Sequence, residues 1–406
     1  MIRFFIYTLG CKVNNCDSNE IAGVLGSYGC CLSEPECSDL IIINSCAVTS
    51  ESVRKTRQNI NKFKKINKNS FLVLTGCASV LEQFSKNKNV DLVSKKENLV
   101  SDIKNRFNLD INPRMKKNFV FLNLYDKTRA FLKIEDGCEN FCSYCIIPFV
   151  RGKIKSKTLE EIDIESKNLS DFGFKEINLT GINLGKYGFD ISLSLIDSIN
   201  VVKKYFKRIR LSSLEPDVIN DSLLNFLSGT KEFCPHFHLS LQSGSDKILS
   251  LMNRKYDSDF YLELINKIRS RFENCTFATD LIVGFPGETD EDFSKSLEII
   301  KKVRFIKVNV FPYSPRPFTL ASNFKQIDSE IKRLRVNKAI EYSNKISKCE
   351  ISRFFGKKLS VLFEKEAEKS VYCGYSMNYI KVSKKSDENL CGKIEKIIFL
   401  PNITYS

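Results

Sequence analysis

Tryptophan is absent from this chain of 406 residues, histidine occurs twice and methionine four times. Long apolar runs are missing too. No stretch approaches the roughly 18 apolar residues that a membrane span needs. The start, Met1–Gly10, has only a brief apolar segment and breaks at Cys11-Lys12-Val13-Asn14-Asn15, too short and wrongly flanked for a signal peptide. The expectation is a cytoplasmic protein with no membrane contact. Without an export signal, disulfides do not explain fifteen cysteines, which leaves metal or redox chemistry. The two histidines, His236 and His238, sit two apart on a predicted strand and share a face. A metal role is open to them, but packing or a phosphate contact is the simpler reading.

What is present is a core and a charge. Hydrophobic residues make up 42% of the chain, with 31 phenylalanines, enough for two or three packed domains. The formal charge of +15 points to a polyanionic partner, although a lysine- and asparagine-rich genome would give the same excess.

The densest chemistry lies in Gly137–Cys145, G-C-E-N-F-C-S-Y-C, where Cys138, Cys142 and Cys145 follow a C-x3-C-x2-C spacing. The alternating run Ala130–Ile134 delivers the chain to this loop as a strand. Three thiolates hold three corners of an iron–sulfur cube, whereas a closed 4Fe-4S site takes four. A structural zinc site is the alternative, but no histidine follows and a fourth local cysteine is missing. The stretch closely resembles the radical S-adenosylmethionine (SAM) enzymes. That resemblance implies an open iron that chelates SAM and injects an electron, releasing a 5′-deoxyadenosyl radical.

In the amino-terminal third, three apolar runs end in Gly-Cys or Ser-Cys: Phe4–Cys11, Leu40–Cys46 and Phe71–Cys77. Each reads as a buried strand, with helices predicted over Ser18–Tyr28 and Ser50–Phe63. Right-handed crossovers make the strands parallel and bring Cys11, Cys46 and Cys77 to one edge, where such sheets bind ligands. Three unrelated core cysteines remain the alternative. Leu9-Gly10-Cys11-Lys12-Val13-Asn14 and Asn44-Ser45-Cys46-Ala47-Val48-Thr49 resemble the amino-terminal motifs of the methylthiotransferases, which implies an auxiliary 4Fe-4S cluster on these three cysteines. The other nine (Cys16, Cys30, Cys31, Cys37, Cys234, Cys275, Cys349, Cys373 and Cys391) read as buried or incidental thiols. The helix start Ser50–Gln58 is basic and capped, a solvated face or one that contacts RNA or shields a cluster. Lys86–Lys117, with Asn112-Pro113 inside it, reads as a surface connection.

Six strand-then-helix repeats follow, with strands predicted at Arg129–Asp136, Glu176–Ile182, Arg208–Glu215, His236–Ser243, Phe277–Phe285 and Phe305–Tyr313. They make an open (βα)6 barrel, whose functional residues belong at the carboxyl ends of the strands. The family resemblance places SAM there, beside Thr180 and Gly181 for its amino-acid part and Ser213, Glu215 and Gln242 for ribose and methionyl groups. The loop of Gly284 and Gly287 would flank the adenine, with Tyr144 packed beside it. Each of these residues also suits an ordinary βα turn.

A long charged helix is predicted over Ile327–Phe354, with Ile331, Leu334, Ala339, Ile340 and Tyr342 along one stripe. Short alternating segments then fit a small β-barrel, and the family resemblance makes it an RNA-binding TRAM-like module. Lys381, Lys384, Lys385 and Lys393, with Tyr375 and Tyr379, would supply phosphate and stacking contacts, or merely a solvated surface.

The expected architecture is therefore α/β: a parallel-sheet methylthiotransferase domain over residues 1–118, a radical SAM barrel over 124–325, a linker helix over 326–355 and a TRAM-like domain over 356–406. The resemblance implies two 4Fe-4S clusters, SAM, and transfer of a methylthio group to C2 of threonylcarbamoyladenosine at position 37 in ANN-decoding tRNAs. It also implies a flavodoxin- or ferredoxin-like reductant; the chain is expected to act as a monomer. The motifs Thr8–Asn14, Phe131–Cys138 and Phe311–Pro317 look most like this branch. Isopentenyladenosine in tRNA and a ribosomal-protein aspartate are the rival substrates, and a two-cluster electron carrier the rival class. Arg151 is expected to meet the threonylcarbamoyl carboxylate, because a guanidinium binds it bidentately.

Overall fold

The computed structural model describes residues 1–110 and 128–401. Asn112-Pro113 and the boundaries expected at 118 and 124 lie outside the described residues.

The first layer is a five-stranded sheet in the order Cys31–Leu32, Arg3–Thr8, Leu40–Ser45, Phe71–Gly76, Leu92–Val93, with every pairing parallel. The chain moves one way from Arg3–Thr8 and then back past it to Leu40–Ser45. That reversal opens a crevice at the carboxyl ends of these two strands. Leu40–Ser45 is buried throughout, as a central strand covered on both faces must be. The helix after the first strand begins at Lys12, not Ser18, so Cys11 is its N-cap residue. The helix Ser50–Ile66 starts with a capping box between Thr49 and Ser52. The stretch read as a surface connection instead contains the edge strand Leu92–Val93 and the helix Lys96–Phe107. Leu99 and Ile103, four apart, bury one face of that helix, and Phe107 meets Phe71 edge-on at 5.7 Å.

Six parallel strands form the barrel: Arg129–Lys133, Glu176–Thr180, Ile209–Leu211, His236–His238, Thr276–Val283 and Lys307–Pro312. Two three-stranded sheets join through bridges Ile209 to Phe233 and Leu214 to Leu239. No ladder joins the first strand to the last among the described residues, so the barrel is open there. Ala130, Leu132, Ile177, Leu179, Ile209 and Leu211 face outward into the core shared with the helices. Their alternating neighbours line the lumen. The amino-terminal domain stands at the open side. Cys16 Sγ lies 3.6 Å from the carbonyl of Phe131 on the first strand, and Ser50 Oγ lies 2.8 Å from Ser314 Oγ just past the last.

The carboxyl-terminal piece is a four-stranded antiparallel sheet, curled into half a barrel rather than closed. It docks on the amino-terminal mouth of the (βα)6 barrel. Arg208 donates to the carbonyls of Ser360 and Tyr375, and Arg210 to those of Ser376 and Met377, while both pair with the buried Glu176. Tyr379 stacks between His236 (4.6 Å) and Tyr375 (4.7 Å). The two tyrosines expected to stack on RNA are thus spent inside the protein, and His236 is a packing residue.

The long helix runs over Ser329–Ser352, and only part of the expected stripe faces the core: Ala339 is buried and Tyr342 packs against the barrel. Arg335, Ala339, Ser343 and Glu350 are buried, whereas Ile331, Leu334 and Ile340 are exposed. The inward face also takes Arg335, which turns in to pair with Glu288.

Candidate active site

At the edge of the amino-terminal sheet, the loops carrying Cys11, Cys46 and Cys77 pack closely enough to require glycine. A Cβ on Gly10 (φ +113°) would sit 2.9 Å from Cys46 Cβ, and one on Gly76 (φ +81°) would sit 2.3 Å from Asn44 Oδ1. The structure therefore brings these three thiols to one place, and the charge of each of Cys46 and Cys11 acts on Cys77. Burial pushes the Cys77 thiol up to about 11 and raises Cys11, while Arg151 pulls both down.

Arg151 closes the short helix Ile147–Arg151 after the other cysteine loop. Its guanidinium is committed: Nη1 reaches both Asp136 oxygens at 2.8 and 2.9 Å, and Nη2 reaches Asn14 Oδ1 at 2.6 Å and Asp17 Oδ2 at 3.0 Å. The carboxylate expected from a substrate is thus already supplied by the protein. Asp17 also accepts from Lys133 and Lys96. Burial alone would raise its pKa, but Lys133, Lys96 and Arg151 together hold the carboxyl well below the usual range. A cavity of about 560 Å³ lies beside this seam, lined by Cys77, Arg151, Lys96 and Lys153 among others.

The second set sits on the loop after Arg129–Lys133. Phe141 takes φ +46° between the first two cysteines, a left-handed turn that folds the loop back. Burial raises all three thiols, Cys145 to about 12. Asn183 Nδ2 lies 3.7 Å from Cys138 Sγ, and Arg254 Nη1 lies 3.3 Å from Cys142 Sγ. Arg254 escaped the sequence reading, since nothing marks it within Asn253-Arg254-Lys255. It is almost fully buried and pairs with Glu215, Tyr144 (3.5 Å) and Tyr256 (2.9 Å). Burial raises Glu215, and Arg254 only partly offsets this.

The remaining expected residues share this rim. Thr180 ends one strand and is buried; Ser213 and Glu215 follow the next; Gln242 and Gly284 follow the fourth and fifth. Gln242 holds φ +64°, unusual for a side chain of its size, and its backbone is pinned to Asp280 and Ile282. Tyr144 meets Phe285 edge-on at 6.5 Å, beside the loop of Gly284 and Gly287. Glu288 braces that loop by accepting from Gly284 N at 3.0 Å and from Arg335 at 2.6 Å. Gly181 has a different reason from the one expected: a Cβ there would lie 2.5 Å from Glu135 Oε2, so its smallness admits Glu135. Glu135 is 1% exposed, accepts from Asn183 N at 2.7 Å, and burial pushes its pKa up to about 8.

Three thiols per set, without a fourth, suit a cube that keeps one iron free for another ligand. Among the described residues no three His, Cys, Asp or Glu side chains close on a single ion. A cube asks for something else, one thiolate per iron.

An open six-stranded parallel barrel with a C-x3-C-x2-C loop at its carboxyl rim defines the radical SAM class, and residues 132–300 match the model of the Radical SAM superfamily. Residues 3–95 match the "Uncharacterized protein family UPF0004". The Threonylcarbamoyladenosine tRNA methylthiotransferase MtaB of Thermotoga maritima is 38% identical, covering 93% of this chain and 90% of its own. Its Bacillus subtilis namesake is 34% identical over 98% and 94%. The tRNA-2-methylthio-N(6)-dimethylallyladenosine synthase of Petrotoga mobilis is 34% identical over 98% and 96%. The chain belongs to the radical SAM methylthiotransferase family, whose members use SAM and two 4Fe-4S clusters. Among solved structures, the radical SAM methyltransferase TsrM of Kitasatospora setae shares the fold, with a TM-score of 0.57, 13% identity and coverage of 79% and 77%.

Proposed function

We propose that this chain is a tRNA methylthiotransferase that converts threonylcarbamoyladenosine at position 37, beside the anticodon of ANN-decoding tRNAs, into its 2-methylthio form. The observation that carries the reading is the pair of three-cysteine sets, one on the barrel rim and one on the sheet edge, joined by the Arg151 seam. Cys138, Cys142 and Cys145 hold one cluster and Cys11, Cys46 and Cys77 the other. When bound, these clusters and SAM supply the electron and radical that make an unactivated aromatic C–H replaceable by a methylthio group, work no side chain performs by taking a proton.

The chain's own residues do the positioning. The ion network of Asp17, Asp136, Arg151 and Lys133 fixes the sheet edge against the barrel rim, so the two thiol sets keep a constant spacing. Arg254, anchored by Glu215, places a positive charge beside Cys142 and Tyr144. Thr180, Gly181, Ser213, Glu215, Gln242, Gly284 and Gly287, with Tyr144, surround the SAM site. The docked carboxyl-terminal sheet keeps water out of the barrel's base; its exposed lysines serve RNA. Residues 1–118, 124–325, 326–355 and 356–406 are the working units, in a cytoplasmic monomer fed by a flavodoxin- or ferredoxin-like donor. Among the described residues no helix is long and apolar enough to cross a membrane.

The test is mass spectrometry of tRNA nucleosides from cells with and without the gene. Loss of the 2-methylthio form with accumulation of threonylcarbamoyladenosine is the expected result. A change in the isopentenyl pair instead would favour the second reading, which the 34% identity to the dimethylallyladenosine enzymes supports.

A further inference from the structure

Along the seam between the sheet domain and the barrel, Lys96, Lys133 and Arg151 reach Asp17, and Lys157 reaches Glu20 and Glu165. Lys12 differs. It is the first residue of the helix Lys12–Ser27 and follows Cys11 directly. Among the described residues its ammonium meets no carboxylate and donates no hydrogen bond; it stands over the Phe131 ring, 5.9 Å from the centroid. Ala130 and Leu132 face the outer core, so Phe131 faces the lumen, and Lys12 enters the lumen with it. The side chain is water-accessible, although protein surrounds it.

Two further cations lie near Lys12, Arg129 and Arg210, both paired with Glu176 and the first also with Glu364. Both act on Lys12, and the acid within reach is Asp280. Asp280 is already engaged, with Asn309 Nδ2 at 2.9 Å and His238 Nε2 at 3.2 Å. Two further polar atoms face the same space. Among the described residues, buried Asn178 Oδ1 and Ser212 Oγ have no hydrogen-bond partner, on residues 4% and 7% exposed. Their sequence neighbours Ile177, Leu179 and Leu211 belong to the outer core, which turns both inward. Buried polar atoms are ordinarily paired, so a lumen that keeps an acceptor, a hydroxyl and an ammonium unpaired is built for a polar guest.

Building on the proposed tRNA reading, we infer that Lys12 is the specificity residue that receives the carboxylate of the threonylcarbamoyl group inside the barrel lumen, with Asn178 and Ser212 facing its ureido and hydroxyl groups. A threonylcarbamoyl group brings one N–H donor, a hydroxyl and one carboxylate, matching those three side chains in kind. An isopentenyl group carries none of them and would leave all three unpaired, at a cost typical of stranded buried polar groups. Arg151 does not take this role, because its fork is filled by Asp136, Asn14 and Asp17.

The experiment uses the loaded enzyme and three anticodon stem-loops, bearing threonylcarbamoyladenosine, its carboxamide analogue or isopentenyladenosine. For the wild type, the carboxamide should raise KM by about 10- to 100-fold with kcat little changed, the factor that a charged hydrogen bond carries. Lys12→Met should raise KM for the acid by a similar factor and leave the carboxamide unaffected, and Lys12→Arg should recover most of the loss. Iron content separates this from damage to the neighbouring cluster; if Lys12→Met loses iron, the carboxamide on the wild type still decides. Equal KM for acid and carboxamide with the wild type would overturn the assignment while leaving the function intact. Conversion of the isopentenyl stem-loop alone would overturn the function as well.

Discussion

On the barrel rim, three thiols come from one short loop, Cys138–Cys145; on the sheet edge, they come from positions 11, 46 and 77 and meet only because three strands run parallel in register. Arg151 stands beside the sheet-edge set and Arg254 beside the rim set, and the two are held very differently. Arg151 is gripped by Asp136, Asp17 and Asn14, and the surplus of cations drives Asp17 far down. Among the described residues Arg254 pairs with one carboxylate, Glu215, whose pKa burial raises despite the pairing. The sheet-edge arginine is a rivet. The rim arginine is under-anchored, and its charge remains available to whatever binds beside Cys142.

The sharpest way to separate the two sets is to remove one thiol from each. Cys138→Ala should abolish SAM cleavage, while Cys77→Ala should keep cleavage and lose only the methylthio product; each should bind about four irons rather than about eight. Chromatography of 5′-deoxyadenosine, nucleoside mass spectrometry and iron analysis read all three. Next, the two arginine anchors should fail in different currencies. Asp17→Asn leaves Lys133, Lys96 and Arg151 without their shared charge and should cost about 3–5 kcal/mol in urea unfolding. Arg254→Met should cost less stability but reduce SAM cleavage more than tenfold, about the worth of one charged contact.

A third prediction concerns pH. The buried Glu135 carboxyl, pushed up to about 8, holds its proton more tightly in the native state than in the unfolded chain, where its pKa is about 4.3. Its contribution to stability is therefore full below pH ~4.3 and is lost as pH rises through about 8. Thermal unfolding between pH 5 and 8 should show a falling contribution of up to about 1.4 kcal/mol per pH unit, which Glu135→Gln removes. The smallest effect belongs to the far end of the barrel. Tyr379→Ala should cost about 2 kcal/mol by deleting its stacking on His236 and Tyr375 and its contact with Arg210, with SAM cleavage unchanged.

Much of this arrangement was legible in the sequence, for reasons that differ by region. The six barrel strands stood out because alternating aliphatic residues such as Ala130, Leu132 and Ile134 mark the outward face. The sheet-edge cysteines were found through topology, and the close approach of Gly10 to Cys46 is the packing that topology demanded. What stayed hidden was ionic. Arg254, Arg151 and Arg335 all turn inward against carboxylates far away in sequence, and no local pattern announces such a pairing. On the long helix Arg335 takes an inward place while Ile331 and Leu334, expected there with Ala339 and Tyr342, stay outside. Tyr375 and Tyr379 were misread for the same reason: their partners, Arg129 and His236, lie on another domain.

The turn Ser376–Tyr379, seated against Arg210, His236 and Thr276, has a consequence for traffic. With that end stoppered, the barrel is a cup rather than a tube. A base that enters over the rim must leave over the rim, past the same thiols, so arrival of the next substrate waits on departure of the last product.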